Sequence, residues 1–396
     1  MRAVVILSLA AFASAAAQRA ADPLLPLLAE AFGTTAGGAS AVITSFAVAY
    51  GALQLVNGPL GDRIGKYRMV FWVTAISAAG CLACAIAPTL PLLVLARFAS
   101  GATIGAIVPL AMAWIGDAVP YERRQAVLAR FLIGTLLGGA LATTLSGALG
   151  ERFGWQAIFY VLAVLYVVAA TLLYAELRSN PATQARAHSG ESMLDSFARM
   201  FGLLRGRWVR VVLFTVFLEG ALSYGGFAFA AYHAHYALGL SVSASGVLVA
   251  SAAVGGLLYA VVAVRLVPRL GERGLVIGGG LLLCFGLPGL ALAPGPAWAV
   301  PALVAQGLGL IMLHNTLQLH ATQMAPQSRG AALALFAFSL FTGQSMGVWI
   351  ASHVVDAHGT LPVFLAAGAG LVMLAFFFQR QLAARRRAET RNGGGI

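Results

Sequence analysis

The sequence predicts an all-α polytopic membrane protein whose twelve transmembrane helices form two pseudo-symmetric six-helix bundles. Three observations predict it. Of 396 residues 60% are hydrophobic and 10% charged, against about 25% charged in a soluble domain. Apolar segments near the roughly 20 residues a spanning helix needs recur along almost the whole chain. Matching punctuation recurs a fixed distance apart in the two halves.

The first observation excludes a water-soluble globular fold. A net charge of +12 raises nucleic-acid binding, but the placement of the bases argues against it. With the N-terminus in the cytoplasm, 22 of the 25 Lys and Arg fall in cytoplasmic connections or helix ends, and Arg19, Arg97 and Arg152 lie elsewhere. That is the positive-inside pattern. It predicts a multi-pass protein of the bacterial inner membrane with both termini cytoplasmic. Cys81, Cys84 and Cys284 fall inside apolar segments and read as small packing residues. The start, Arg2 then an apolar run and Ala13-Ser14-Ala15-Ala16-Ala17, resembles a signal peptide. It reads instead as the first span, because removing it leaves an odd number.

The expected spans are residues 3–31, 39–60, 69–87, 91–116, 126–148 and 156–176 in the first half, then 210–232, 242–266, 275–293, 298–322, 330–354 and 361–380. This divides the chain into an N-terminal bundle (1–176), a cytoplasmic linker (177–209), a C-terminal bundle (210–380) and a cytoplasmic tail (381–396). The linker carries Arg178, Arg186, Arg199, Arg205 and Arg207 with Glu191 and Asp195, and a short surface helix is expected from Met193 to Leu204. From Arg385 onward the tail is expected to be disordered and to meet anionic lipid.

The repeat distance is 206. Arg269 and Gly271 follow Arg63 and Gly65 by that distance, Pro326 and Arg329 follow Pro120 and Arg123, and Gly307 follows Gly101. Gly359 and Phe364 follow Gly154 and Phe159 at 205. Ordered matches at a near-constant distance argue for duplication of a six-helix unit. Two such halves around a mid-membrane site are the architecture of an alternating-access carrier.

Between the second and third spans the chain reads Gly58-Pro59-Leu60-Gly61-Asp62-Arg63-Ile64-Gly65-Lys66-Tyr67-Arg68. The glycines permit a tight turn, and Asp62 offers a negative charge to a helix N-terminus. The segment resembles G-x-L-x-D-R-x-G-R-K, the signature loop of the major facilitator superfamily, with Lys66 and Tyr67 replacing two common bases. The resemblance implies a conformational latch built from Gly58, Asp62, Arg63, Gly65, Lys66 and Arg68, in which Asp62 acts on the start of helix eleven near Gly330. The counterpart after helix eight has Pro268 where Asp62 would stand, so an asymmetric latch is expected.

Leu95-Ala96-Arg97-Phe98-Ala99-Ser100-Gly101 in helix four is similar to a second superfamily motif, R-x-x-x-G, which implies proton handling or anion attraction for Arg97. An intramembrane arginine is costly; snorkelling to the interface is the other reading. Gly134-x-x-x-Gly138-Gly139 in helix five resembles the glycine-rich stretch of the antiporter branch, and small-x-x-x-small spacing also serves helix packing. Arg19 and Asp22, three residues apart, share a helix face, and Pro23 and Pro26 follow, as in drug-efflux members. Glu219 lies about mid-membrane in helix seven, either as a proton carrier or as a protonated carboxyl packed as a spacer. Burial disfavours a carboxylate's charged form and a nearby Arg favours it, and such opposed effects make a group switchable. Glu219, Asp22, Arg19 and Arg97 are the expected proton-coupling set.

A substrate cavity is expected from Gln54 and Asn57 on helix two, Tyr224, Phe227 and Tyr232 on helix seven, His314, Asn315 and Gln318 on helix ten, and Thr342, Ser345 and Trp349 on helix eleven. The last three have helical spacing and form one expected stripe. His314 or His320 also reads as a bridge between helices. Met312 to Gln318 and Ala325 to Gly330 resemble bacterial drug:H+ antiporter-type permeases. The reading is a monomeric secondary transporter, not an enzyme, moving a small amphipathic or aromatic compound by proton-coupled efflux, with no cofactor beyond the proton. The alternative is proton-coupled import of a small, anionic metabolite. A membrane-embedded enzyme needs a nucleophile-base pair or metal cluster, and no such constellation stands out; His233 and His235 fall at an outer loop.

Overall fold

The computed structural model describes residues 2–184, 193–325 and 328–391, and every element among them is helical. Eleven stretches are long and apolar enough to cross a membrane. One of them, Val242–Ala291, is two spans joined at Gly271, whose backbone is not helical, so twelve helices result. They are α1 (Arg2–Ala31), α2 (Ala36–Ile64), α3 (Lys66–Ala85), α4 (Leu90–Ala118), α5 (Tyr121–Phe153) and α6 (Gln156–Ser179), then α7 (Arg207–Tyr236), α8 (242–270), α9 (272–291), α10 (Pro296–Gln323), α11 (Arg329–His358) and α12 (Thr360–Arg391).

The repeat is written into the backbone. Six described residues have positive φ, all glycine: Gly33, Gly65, Gly154, Gly239, Gly271 and Gly359. They form three pairs at the repeat distance, with Gly239 following Gly33 and Gly271 following Gly65 by 206 and Gly359 following Gly154 by 205. Each ends a span in the left-handed region that glycine alone enters without strain. Packing repeats as well. A Cβ at Gly101 would strike the Phe46 carbonyl and one at Gly307 the Ala252 carbonyl; Gly138 meets the Phe12 carbonyl and Gly343 that of Phe217. Without a hydrophobic drive between helices in lipid, such close backbone approach supplies the association.

α1 and α7 are both interrupted. In α1 a 3₁₀ turn, Asp22–Leu24, separates Arg2–Arg19 from Leu25–Ala31, with Pro23 and Pro26 in the new first turns. In α7 a π-turn, Gly220–Tyr224, follows Glu219, and the chain breaks again before Ala230–Tyr236. Gly220 and Gly225 lie against the α11 backbone at Leu340 and Gly347.

The halves meet where α2 packs on α11 and α5 on α8. At the end away from the termini the contacts are polar and duplicated. Asp356 of α11 accepts the Gly37 N–H at 2.9 Å and the Thr35 hydroxyl at 2.7 Å; Glu151 of α5 accepts the Ser243 N–H at 2.8 Å. Thr35 and Ser241, 206 apart, also cap their own helices α2 and α8. A carboxylate from each half thus sits on a helix N-terminus of the other, where orphan N–H groups and the helix dipole favour it. Halfway along, Tyr50 and Phe341 pack ring on ring at 4.2 Å.

The linker helix runs Met193–Gly202 and buries Met200. Arg186, Glu191, Pro326 and residues 392–396 lie outside the described residues. The tail corrects one expectation: from Arg385 it continues as helix to Arg391. Arg386 pairs with Glu272 at 2.7 Å and Arg385 lies over the Trp208 ring at 4.6 Å, which anchors the last turns.

Candidate functional site

Two ion pairs sit at the breaks in α1 and α7. Arg19 Nη1 reaches Asp22 Oδ2 at 3.1 Å. The Arg19 guanidinium crosses to the other half, over the rings of Tyr224 at 4.7 Å and Phe227 at 5.4 Å. Five residues before Tyr224, Glu219 is fully buried, and its Oε2 lies 2.9 Å from His314 Nδ1 on α10. The π-turn between Glu219 and Tyr224 explains how both reach the same region. One turn of that kind holds an extra residue, which rotates Tyr224 toward the Glu219 face. The structure therefore brings together Arg19, Asp22, Tyr224, Phe227, Glu219 and His314. Glu219 is not a spacer without a partner.

Arg97 lies inside the N-terminal bundle, behind Asp22 and close enough for the two charges to act on each other. Its side chain is buried, not snorkelling. Nε donates to the Val42 carbonyl at 3.3 Å and Nη1 to that of Ala17 at 3.1 Å, with the guanidinium 4.0 Å above Phe46. Ala17 precedes the break in α1, where helix carbonyls lose their own partners. The arginine thus ties α1, α2 and α4 together.

The expected cavity set divides. Gln54 is buried and donates to the Gly105 carbonyl at 2.8 Å, joining α2 to α4; Asn57 is buried one turn on. Asn315 and Gln318 are exposed on α10. Tyr232 lies beyond the second break in α7 and stacks on Tyr236 at 4.6 Å. The expected α11 stripe lies on one continuous helix but is unevenly buried. Ser345 is buried and bonded back to the Phe341 carbonyl at 2.7 Å, while Trp349 is exposed beside Met346 and Ile350. Gly343 and Gly347 face α7, so Thr342, Ser345 and Trp349 share another side of the helix, and burial along that side is uneven. Gln344 is buried on the α7 side of the helix, its backbone N beside Gly220.

The signature loop takes a different arrangement from the one its resemblance implies. Gly65 supplies the turn at φ 96°. Asp62 pairs with Lys66 at 3.2 Å, and Lys66 also reaches Asp117 of α4 at 2.5 Å. Gly58 and Gly330 face open space, with nothing within 4 Å of an added Cβ. Asp62 thus pairs within its own loop, and among the described residues no hydrogen bond or ion pair joins it to α11. Arg63 and Arg68 are exposed. His233 and His235 do not converge: one bonds Thr360 at 2.6 Å and the other the Leu240 carbonyl at 2.6 Å.

Residues 7–348 match the profile of the Major Facilitator Superfamily. The chain belongs to this superfamily. Members of this superfamily are membrane transporters, not enzymes, and need no cofactor. The uncharacterized transporter YgaY of Escherichia coli O157:H7 is 29% identical over 50% of each chain, so the present chain spans about half the length of that relative. The multidrug export protein EmrB of Escherichia coli K12 is 26% identical over 44% of this chain and 35% of its own. The 3-(3-hydroxy-phenyl)propionate transporter of the same strain is 32% identical over 36% of each. A crystal structure of the nucleoside transporter NupG superposes with a TM-score of 0.77 at 16% identity, covering 96% of this chain and 99% of its own, a likeness of fold.

Proposed function

We propose that this chain is a proton-coupled alternating-access carrier of small aromatic or amphipathic compounds, with Glu219 and His314 as the proton-handling pair and Asp22 and Arg19 beside them. One observation carries the reading: a buried carboxylate bonded to a histidine lies next to the aromatic rings Tyr224 and Phe227, at the junction of the halves. Histidine exchanges protons near neutral pH, so a proton and a bound ligand affect each other there. The charge asymmetry supports cytoplasmic termini in a bacterial inner membrane, which makes the end joined by Asp356 and Glu151 the outer one.

Efflux is supported by the glycine-rich α5 segment and by the likeness to EmrB. Uptake of an anion with a proton is the second reading, supported by the bases that face the gap and by the likeness to a transporter named for an aromatic carboxylate. The test uses inside-out vesicles and a compound that raises the protein's thermal stability, since a ligand of the folded state does so. The compound is expected to perturb an imposed pH gradient with the wild type and not with Glu219→Gln. A gradient indifferent to it in the wild type removes proton coupling; the sign of the change separates exchange from co-transport.

A further inference from the structure

Both ion pairs are oriented alike. In each, the acid is sealed in protein and the base reaches open space: Asp22 is 3% exposed and Glu219 0%, against 19% for Arg19 and 18% for His314. Arg19 is partly exposed, and its guanidinium lies over the rings Tyr224 and Phe227 of the facing half. A molecule entering between the halves meets positive edges and aromatic faces, with the negative charge held behind them.

Resting on the reading that this gap is the transport site, we propose that the ligand is a small amphipathic organic anion, an aromatic monocarboxylate. Its carboxylate takes the N–H groups of Arg19 that Asp22 leaves open, since a guanidinium has five donors and binds carboxylates with strong, charge-assisted bonds. Its ring stacks on Tyr224 and Phe227, and His314 provides a second donor. A cationic ligand is disfavoured. To reach Asp22 or Glu219 it must displace Arg19 or His314 and leave a like charge beside itself.

The test compares 3-phenylpropionate, its amide 3-phenylpropionamide and the amine 3-phenylpropylamine, binding to the purified full chain by calorimetry. The acid is expected to bind about tenfold more tightly than the amide, the size of one charge-assisted bond, and the amine more weakly than either. Arg19→Gln should abolish the preference for acid over amide, Arg19→Lys should keep its direction, and Tyr224→Ala should weaken acid and amide alike. Equal binding of acid and amide, a preference for the amine, a preference unchanged in Arg19→Gln, or no binding of any of the three overturns the proposal. The outcome is separable from proton coupling. A preference for the acid with an indifferent pH gradient fails the coupling alone, and a perturbed gradient without that preference fails the anion.

Discussion

Asp356 of the second half binds the first turn of a helix in the other half, accepting the backbone N–H of Gly37 at 2.9 Å. The repeat supplies the same device in reverse through Glu151 and Ser243. Each contact is exposed to water and worth about 0.3–1 kcal/mol, so the pair biases an equilibrium more than it holds the fold. Asp356→Asn combined with Glu151→Gln is expected to raise the share of molecules open at this end several-fold. Spin labels at Glu30→Cys and His358→Cys would report it as a longer distance population. An unchanged distribution removes the caps from the gating.

Glycine packing makes a prediction that is equal in the two halves. Gly101→Val and Gly307→Val should each lower the apparent melting temperature, by the equivalent of about 1–3 kcal/mol for overpacking, because the new side chain strikes the Phe46 or Ala252 carbonyl. Gly116→Ala, with nothing within 4 Å, should leave it unchanged or raise it. Similar melting for all three variants contradicts backbone-to-backbone packing.

Asp62 separates stability from turnover. In the structure it makes an exposed contact within its loop, with Lys66, so Asp62→Asn should leave thermal stability and ligand affinity near wild type. Transport is expected to slow several-fold if the residue acts when its own end of the molecule closes. Wild-type turnover in proteoliposomes would take the loop out of the cycle.

Much of this was legible in order along the chain. Span length, the 206-residue repeat and the Arg19–Asp22 pair all depend on near neighbours or on a fixed distance. The Glu219–His314 bond joins residues 95 apart, and helix spacing says nothing about which faces two distant helices present to each other. The same limit hid Asp356 and Glu151, which look like ordinary acids at helix ends until the halves are docked. On α11 the spacing of Thr342, Ser345 and Trp349 places them on one side of the helix, but how deeply each is buried depends on neighbours from distant helices, which spacing does not carry. The tail misled because its charge outweighed its helical continuity, and Trp208 and Glu272, which anchor it, lie far away in sequence.

The paired glycines also say something about assembly. Glycines bring backbone against backbone within each set of six helices and also between the sets, where Gly147 and Gly246 hold α5 against α8, and a covalent tie runs through residues 180–206. A break in that tie, made by expressing residues 1–188 and 189–396 as separate polypeptides, is expected to leave two fragments that insert independently and find each other in the bilayer. Co-purification of the untagged fragment with its tagged complement would show it. Recovery of the tagged fragment alone would mean that the tie itself aligns α2 with α11.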